Sequence, residues 1–526
     1  MSSPQQNSAS PELITATGDI SPEVATASPK GLLDAVFEAS AAGRAGPAWI
    51  DDFLREPSGE RSQAMWLGRR GAPQGLDRSE LAGMLSRDLA RLDQVLERQV
   101  NAILHHPRFQ QIEASWRALW MLTGQVEEAK ELADDEWAEP KVHIRVLSLS
   151  KRELGRDLEN AIEFDQSQIF KKVYEKELGM PGGQPYGLLV GDYQFSHHPD
   201  DVDLLQRMSG VAAAAFAPFI AAPAPELLGL EDFSTLERPI NLASTFDSLH
   251  YLKWRAFRDQ EDSRFVGLVL PRVLLRLPRE DDGTRADGFR FREEVAGPDR
   301  RKYLWGDGAY ALAGVMIRAF AASGWFAEIR GVQRGQLAGG LVVGLPVHSF
   351  TTDPRGIAPK TSTEVAIDEY QEQALSKLGL VPLCHCQDTE YCAFYTNQSV
   401  QKPKQYDDAV ATANARISAM LQYMMCASRF AHYLKVLVRD QVGSALSPEQ
   451  IANRLNDWIA QYVTPDERAS AETKARFPLR QAEVRVAELP GQPGSYRMEM
   501  HLLPHFQLDE LTATLRLVTR LATPGG

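Results

Sequence analysis

The nine residues GDGAYALAG, starting at Gly306, carry the small-residue order that can cradle a pyrophosphate: Gly306, Gly308 and then Ala311. That chemistry needs a buried strand to aim the glycine turn and a helix whose first amides receive the negative charge. The preceding residues, GPDRRKYLW, are charged and broken by proline, and no acid ends a strand at the distance where a ribose would be held. A loosened helix start that lets two backbones approach is the plainer expectation. The alternative is a nucleotide-dependent α/β enzyme using the Gly306–Gly308 loop. It predicts dinucleotide binding that Gly308→Val abolishes.

The second candidate is CHCQDTEYC, which offers Cys384, His385, Cys386 and Cys392. Structural zinc takes four ligands, usually from two C-x₂₋₄-C pairs. Here C-x-C is too tight and no second pair follows, so buried cysteines on a strand are expected. The pairs His105–His106 and His197–His198 each precede a proline and mark helix boundaries. No G-x-S-x-G, G-x-x-x-x-G-K-[ST] or H-E-x-x-H occurs. No catalytic, cofactor-binding or metal-binding residue is assigned, no cofactor is expected, and the chain is read as a non-enzyme.

The third candidate is YLKWRAFRDQEDSRFVGLVLPRVLLRLPRE, where basic side chains interleave with Trp254, Phe257 and apolar runs. A guanidinium can bond bidentately and stack at once, which makes Arg255, Arg258, Arg264, Arg272 and Arg276 interface candidates. An intramolecular salt-bridge network would use the same residues, and both readings stand. A net charge of −13 argues against a nucleic-acid partner.

The elements that must position these residues are alternating strands and helices. Asp77–Leu104 carries Leu81, Leu85, Leu89, Leu92, Leu96, Val100 and Ile103 at helical spacing. Pro107 stops it and FQQIEASWRALWML starts another helix. KVHIRVLSLS reads as a strand through Val142, Ile144, Val146 and Leu149, and KRELGRDLENAIEFDQSQIFKKVYEKELG as a helical stretch. PYGLLVGDYQF, RFVGLVLP and FAEIRGV are further strand candidates. MSGVAAAAFAPFIAAPAP, residues 208–225, is uncharged, but its prolines and acidic flanks exclude a membrane span. It is expected to be a helix ending near Ala217 whose small residues form a packing surface. YDDAVATANARISAMLQYMMCASRFAHYLKVLVRDQVG reads as one long helix or two, and SPEQIANRLNDWIAQYV as another with Ser447 at its cap. AEVRVAEL and YRMEMHLL alternate around PGQPGS, a hairpin signal. The alternation at Leu511, Ala513, Leu515 and Leu517 predicts a terminal strand.

The expected fold class is therefore α/β, mixed with α+β features: N-terminal helices, a core, and a C-terminal hairpin plus terminal strand. The expected organisation is a disordered tail at 1–30, a helical segment at 31–76, a core domain at 77–378 and a C-terminal domain at 379–526. Four cysteines in 526 residues and no secretory signal place the chain in the cytoplasm.

Several blocks in order resemble one family: AIEFDQSQIFKKVYEKELGMPGGQPYGLLVGDYQF, VAAAAFAPFIAA, EDSRFVGLVLPRVLLRLP, KYLWGDGAYAL, QKPKQYDDAVATANARISA and LPHFQLDEL. The chain resembles the large sheath subunit of the contractile type VI secretion system (TssC/VipB, ImpC/EvpB). The resemblance runs from about Asp77 to Leu521 and implies a contractile-sheath core. It implies polymerisation with a small sheath subunit (TssB/VipA) and with other copies of the chain around an Hcp tube, from a baseplate. It also implies disassembly by an AAA+ unfoldase (ClpV) that engages an N-terminal helix. Leu32, Leu33, Val36 and Phe37 match that helix in character, while AAGRAGPAWIDDFLREPSGERSQAMWLGRRG departs from the family pattern. Leu511, Ala513, Leu515 and Leu517 are the corresponding candidates for a strand shared between protomers.

Overall fold

A computed structural model describes residues 48–70, 77–131 and 142–505, apart from short gaps at 181, 239, 282, 284–287, 298, 333–336, 350–359, 388, 442–446, 467 and 489–495. The expected tail, the helix carrying Leu32, Leu33, Val36 and Phe37, and the terminal strand all lie outside the described residues. The chain divides into two compact units, Met1–Leu92 and Asp93–Gly526.

The described part of the first unit is helical. α1 (Ala48–Arg55) and α2 (Gly59–Arg70) precede the start of α3 (Arg78–Leu104), and Trp66 Nε1 on α2 donates to Asp88 Oδ2 on α3 at 3.1 Å. The periodicity expected from Asp77 onward is the whole of α3. α4 (Pro107–Glu131) begins on the proline that stops α3, because a residue without an amide proton costs nothing in a first turn.

In the second unit the stretch after α4 differs from the sequence reading. Residues 142–150 run without strand pairing, and Val146 is 68% exposed. Among the described residues, the bond that holds their backbone to the neighbouring sheet comes from a side chain, Tyr193 Oη to Leu149 O at 2.6 Å. Alternation is present, but no described strand accepts the segment. The helical stretch after it is not continuous. α5 (Lys151–Asn160) opens with a capping box between Ser150 and Glu153 and ends at Ala161. Ser167 then caps a new turn that continues as a wider-pitched helix over Lys171–Gly179.

The core is a four-stranded parallel sheet in the order β1 (Leu189–Phe195), β2 (Phe219–Pro223), β3 (Val266–Leu270) and β7 (Val381–Pro382). Between β1 and β2 runs α6 (Pro199–Ala215), with Pro199 in its first turn. It ends where Phe216 adopts φ +50°, ahead of Ala217 and Pro218. The uncharged stretch at 208–225 is thus the second half of α6 and all of β2. The helix end is as expected, but the strand was hidden by its prolines. Every residue of β2 and β3 is buried, which is why they read as continuous apolar runs.

α6 covers one face of the sheet, and α7 (Leu252–Arg258) joins it there through Trp254 and Phe257. The other face is covered by α8 (Gly308–Ser323) and α4, through Ala309, Leu312, Val315, Met316 and Leu122. Short strands complete this half: β4 (Val273–Leu274) pairs with β5 (Trp305–Gly306), and β9 (Cys392–Ala393) lies between β6 (Leu341–Val342) and β8 (Cys384–His385). FAEIRGV forms no strand, since the backbone turns at Gly331 with φ +73°.

After α9 (Glu369–Lys377) the last third contains α10 (Ala409–Ser418) and α11 (Leu421–Gln441), the two-helix version of the sequence reading. Leu421 sits against β3 so closely that a Cβ on Gly267 would lie 2.6 Å from its Cδ1. α12 (Pro448–Ala460) is capped by Ser447 with Gln450 completing the box. Then comes the expected hairpin of β10 (Leu479–Glu488) and β11 (Tyr496–Pro504), antiparallel, with Val484 opposite Met500. One face of it, Ala482, Val484, Val486, Met498, Met500 and Leu502, packs with Ile451, Leu455 and Ile459 of α12 and with Phe430 of α11.

Candidate functional site

The Gly306 loop does not have the geometry of a dinucleotide site. The strand before it, β5, is two residues long and antiparallel to β4. A Cβ on Gly306 would lie 2.4 Å from Leu275 Cδ1, and one on Gly308 2.6 Å from the Pro271 carbonyl oxygen. These glycines are required for close packing. At the α8 N-terminus, where a pyrophosphate would need to sit, the buried carboxylate of Asp307 accepts from Gln194 Nε2 at 2.8 Å. Burial pushes Asp307 up to about 6. The enzyme alternative therefore lacks a site at these residues.

Cys384 and Cys392 are buried on the paired strands β8 and β9, and Cys386 is half-buried, all as free thiols. Burial raises both buried thiols, Cys392 to about 11, which leaves them protonated and poor nucleophiles. Among the described residues no group of three or more His, Cys, Asp or Glu is arranged to hold a metal ion. No described helix is long and apolar enough to cross a membrane.

The five candidate arginines are each bonded within the chain. Arg255 Nη1 donates to the carbonyls of Phe246 and Ser248 at 2.6 and 2.8 Å. Arg258 is buried and donates to Val400 O and Lys377 O at 2.9 and 3.1 Å, and burial lowers it to about 10. Arg264 bonds its neighbour Glu261. Arg272 forms a bidentate pair with Glu364 at 2.7 and 2.5 Å. Arg276 is held between Glu293, at 2.6 and 3.1 Å, and Glu113, at 2.9 Å. This is the network version of the sequence reading, with long-range clamps at Arg258, Arg272 and Arg276.

The hairpin presents a different kind of site. Val484 N–H donates to Asn456 Oδ1 at 2.8 Å, and Val484 C=O accepts from Asn456 Nδ2 at 2.8 Å. Both backbone groups of Val484 therefore point away from β11. Opposed residues in an antiparallel ladder alternate between exchanging both hydrogen bonds and exchanging none. Met500, opposite Val484, must turn its own N–H and C=O away from β10, and the same parity turns Met498 and Leu502 outward.

The two edges differ in cover. Along β10, Leu479 bonds to Tyr462 O and Thr464 N at 3.3 and 2.8 Å, and Asn456 occupies Val484. Along β11, no described residue bonds to the outward groups of Met498, Met500 or Leu502. The solvent face carries paired charges, Glu483 with Arg485 and Arg497 with Glu499. Among the described residues this edge is left open, on a strand whose inner face is anchored. The sequence revealed the hairpin, but it did not reveal which edge is free. Asn456 was overlooked because its only signal is a polar residue beside the apolar stripe Ile451, Leu455, Ile459 of α12.

Comparison with known proteins agrees with a structural role. Residues 86–401 match the family model described as EvpB/VC_A0108, tail sheath N-terminal domain. Residues 410–521 match the one described as EvpB/VC_A0108, tail sheath gpW/gp25-like domain. The type VI secretion system sheath protein TssC1 of Pseudomonas aeruginosa is 45% identical over 436 residues, covering 82% of this chain and 85% of that protein. Among solved structures, a chain of the anti-feeding prophage baseplate aligns with a TM-score of 0.34 at 10% identity, over 61% of this chain and 66% of that one. A chain of the contracted anti-feeding prophage helical sheath aligns at 0.28 and 12%, over 60% and 66%. At these scores neither likeness bears on the fold. The two family models and the identity to a curated sheath protein decide the matter: the chain belongs to the EvpB/VC_A0108 tail sheath family.

Proposed function

We propose that this chain is the large structural subunit of a type VI secretion contractile sheath and that it joins its neighbours by accepting a strand on the outer edge of β11. The observation that carries this reading is the row of outward backbone groups at Met498, Met500 and Leu502, to which no described residue bonds, beside a β10 edge occupied at Leu479 and Val484. A donated strand satisfies such a row through main-chain hydrogen bonds, and the rest of each subunit stays free to rotate about it. When the donor lies elsewhere on the same chain, the contact is heterologous and propagates as a helix. The donor in this reading is the segment carrying Leu511, Ala513, Leu515 and Leu517 of another copy.

In this reading the chain polymerises in the cytoplasm with a small sheath subunit, around an Hcp tube and from a baseplate that holds the extended state. Contraction is then the passage between two packings of the same chain. The helix containing Leu32, Leu33, Val36 and Phe37 is what an unfoldase would engage to take the contracted form apart. Arg255 and Arg264 bond only nearby segments of their own chain, so of the five arginines they are the ones available to an interface.

The test is negative-stain microscopy of the chain coexpressed with its small partner. Tubules are expected, and deletion of residues 511–526 should abolish them while the two subunits still copurify. A pair that remains a small heterodimer under all conditions overturns the reading. Tubules that form normally from the truncated chain overturn the choice of donor strand.

A further inference from the structure

We infer that Asn456 makes strand addition one-sided: its side-chain amide stands in for a third strand at the middle of the β10 edge, obstructs pairing there, and leaves β11 as the acceptor. The inference rests on the strand-addition reading above and adds to it the residue that sets its direction.

A two-stranded ribbon has two edges, and each is a template for another chain. If both edges of this hairpin were open, a subunit could accept two strands, and its polymer would branch or bundle. The primary amide of Asn456 presents an N–H donor and a C=O acceptor on one side, as the N–H and C=O of a single residue do along a strand edge. Its two 2.8 Å bonds to Val484 reproduce one rung of a ladder. The amide is not free to swing away. Nδ2 also donates to Ala452 O, one turn back on α12, at 2.9 Å. The helix itself is fixed against the hairpin by Ile451, Leu455 and Ile459. Four residues beyond α12, Thr464 bonds to Leu479 and covers the start of β10. The β10 edge is thus occupied at two points along its length.

Packing alone does not call for asparagine here. Val484 is 2% exposed, so its peptide needs a partner for desolvation, but a backbone strand could supply one equally well. Asparagine supplies it from within the subunit. β11 has no counterpart to Asn456 among the described residues.

The test uses the full chain with Cys386→Ser, to remove the half-buried thiol, and Glu483→Cys as a reporter on the exposed face of β10. A bis-maleimide then reads β10-to-β10 contact between copies. Adding Asn456→Leu, close in size but without the amide, should make the Val484 amide exchange about tenfold faster and raise the cross-linked dimer severalfold. Adding Ala482→Pro should return the cross-link to its starting level. Ala482 shares the outward parity of Val484, and proline removes that donor and blocks the edge.

An unchanged cross-link yield alongside faster Val484 exchange overturns the inference, because the edge would be open with nothing added to it. A raised yield that Ala482→Pro does not reverse overturns it as well, since the contact would then come from general unfolding. If Asn456→Leu does not fold, Asn456→Ala, which likewise lacks both the acceptor and the donor, is read in the same way. Absence of tubules from the unaltered chain and its partner counts against the sheath reading, and leaves the cross-linking result intact.

Discussion

In the parallel sheet, β2 and β3 are hydrogen-bonded on both sides and buried on both faces, while in the hairpin β11 is bonded on one side and half-buried on one face. The sheet half contains the glycine turn, the buried acid and the arginine pairs that resemble catalytic equipment, yet the acid and the arginines are bonded within their own chain. The described part of the hairpin carries no such cluster, and among the described residues the outer edge of β11 is left incomplete. A subunit of a polymer needs this division: a body rigid enough to transmit force, and an edge that only another chain can complete.

The sharpest way to break the comparison is to alter the edge and leave the body alone. Met500→Pro removes an outward N–H that takes no part in the β10–β11 ladder. Proline is tolerated at such edge positions, so the hairpin should survive while assembly into tubules is lost. Met500→Ala, which trims the side chain and keeps the N–H, should assemble. Microscopy of the two coexpressed variants, with thermal unfolding as a control, decides between them. Normal tubules from Met500→Pro would remove β11 as the acceptor.

The converse experiment alters the body. Arg276→Met takes the counter-charge from Glu293, whose side chain is 1% exposed, and from Glu113. Breaking a buried pair from one side costs about 3–5 kcal/mol, because the Glu293 carboxylate is left without its guanidinium, while Glu113 keeps Arg117 and Arg279. The unfolding free energy from a urea titration should fall by that amount, moving the midpoint down at unchanged slope. Tubules formed below the unfolding range should look normal, since the clamp lies far along the chain from the edge. A change in assembly without a change in stability would mean that Arg276 faces a neighbour after all.

What could be read from the residues follows the same division. Elements fixed by local periodicity or capping were legible: the Leu stripe of α3, the Ser447 cap of α12, the alternation on both sides of PGQPGS. Elements that depend on a distant partner were not. KVHIRVLSLS has the pattern of a strand but no described neighbour to pair with, and β2 is a strand in spite of its prolines, because β1 and β3 hold it from both sides. The arginines announced ion pairs without saying with whom, since Glu293 and Glu364 lie 17 and 92 residues from their partners. The open edge was the least legible of all. It follows from the parity at Val484, and that parity is visible only through Asn456.

Where the two regions meet, acid should loosen them. His432 on α11 donates Nε2–H to Ala215 O at the end of α6 at 2.8 Å, and its Nδ1 is buried with no partner. Burial pushes this imidazole down to about 4, and Arg429 and Lys435 nearby act in the same direction. The neutral form belongs to the folded chain. Its contribution is complete above an ordinary histidine value near 6.5, and it is lost as the pH falls through that value toward 4. At pH 5 the loss is about 2 kcal/mol. His432→Gln can still donate to Ala215 but does not titrate, so the difference in urea midpoint between pH 7 and pH 5 should shrink. An equal drop in both proteins would assign the acid sensitivity to other groups.

The smallest effect tests how firmly the sealed edge is held. Ser447→Ala removes the oxygen that accepts from Gln450 N at 3.3 Å, and with it half of the capping box of α12, at a cost of about 1 kcal/mol. Fraying is confined to the first turn of a helix, and Asn456 lies more than two turns in, between Leu455 and Ile459, which are both buried. Hydrogen exchange should therefore quicken at Gln450 and Ile451 and stay unchanged at Val484, and tubules should form as before. If the Val484 amide quickened with them, α12 and the β10 edge would open as one cooperative unit. The one-sidedness of the hairpin would then be only as secure as the serine that starts the helix.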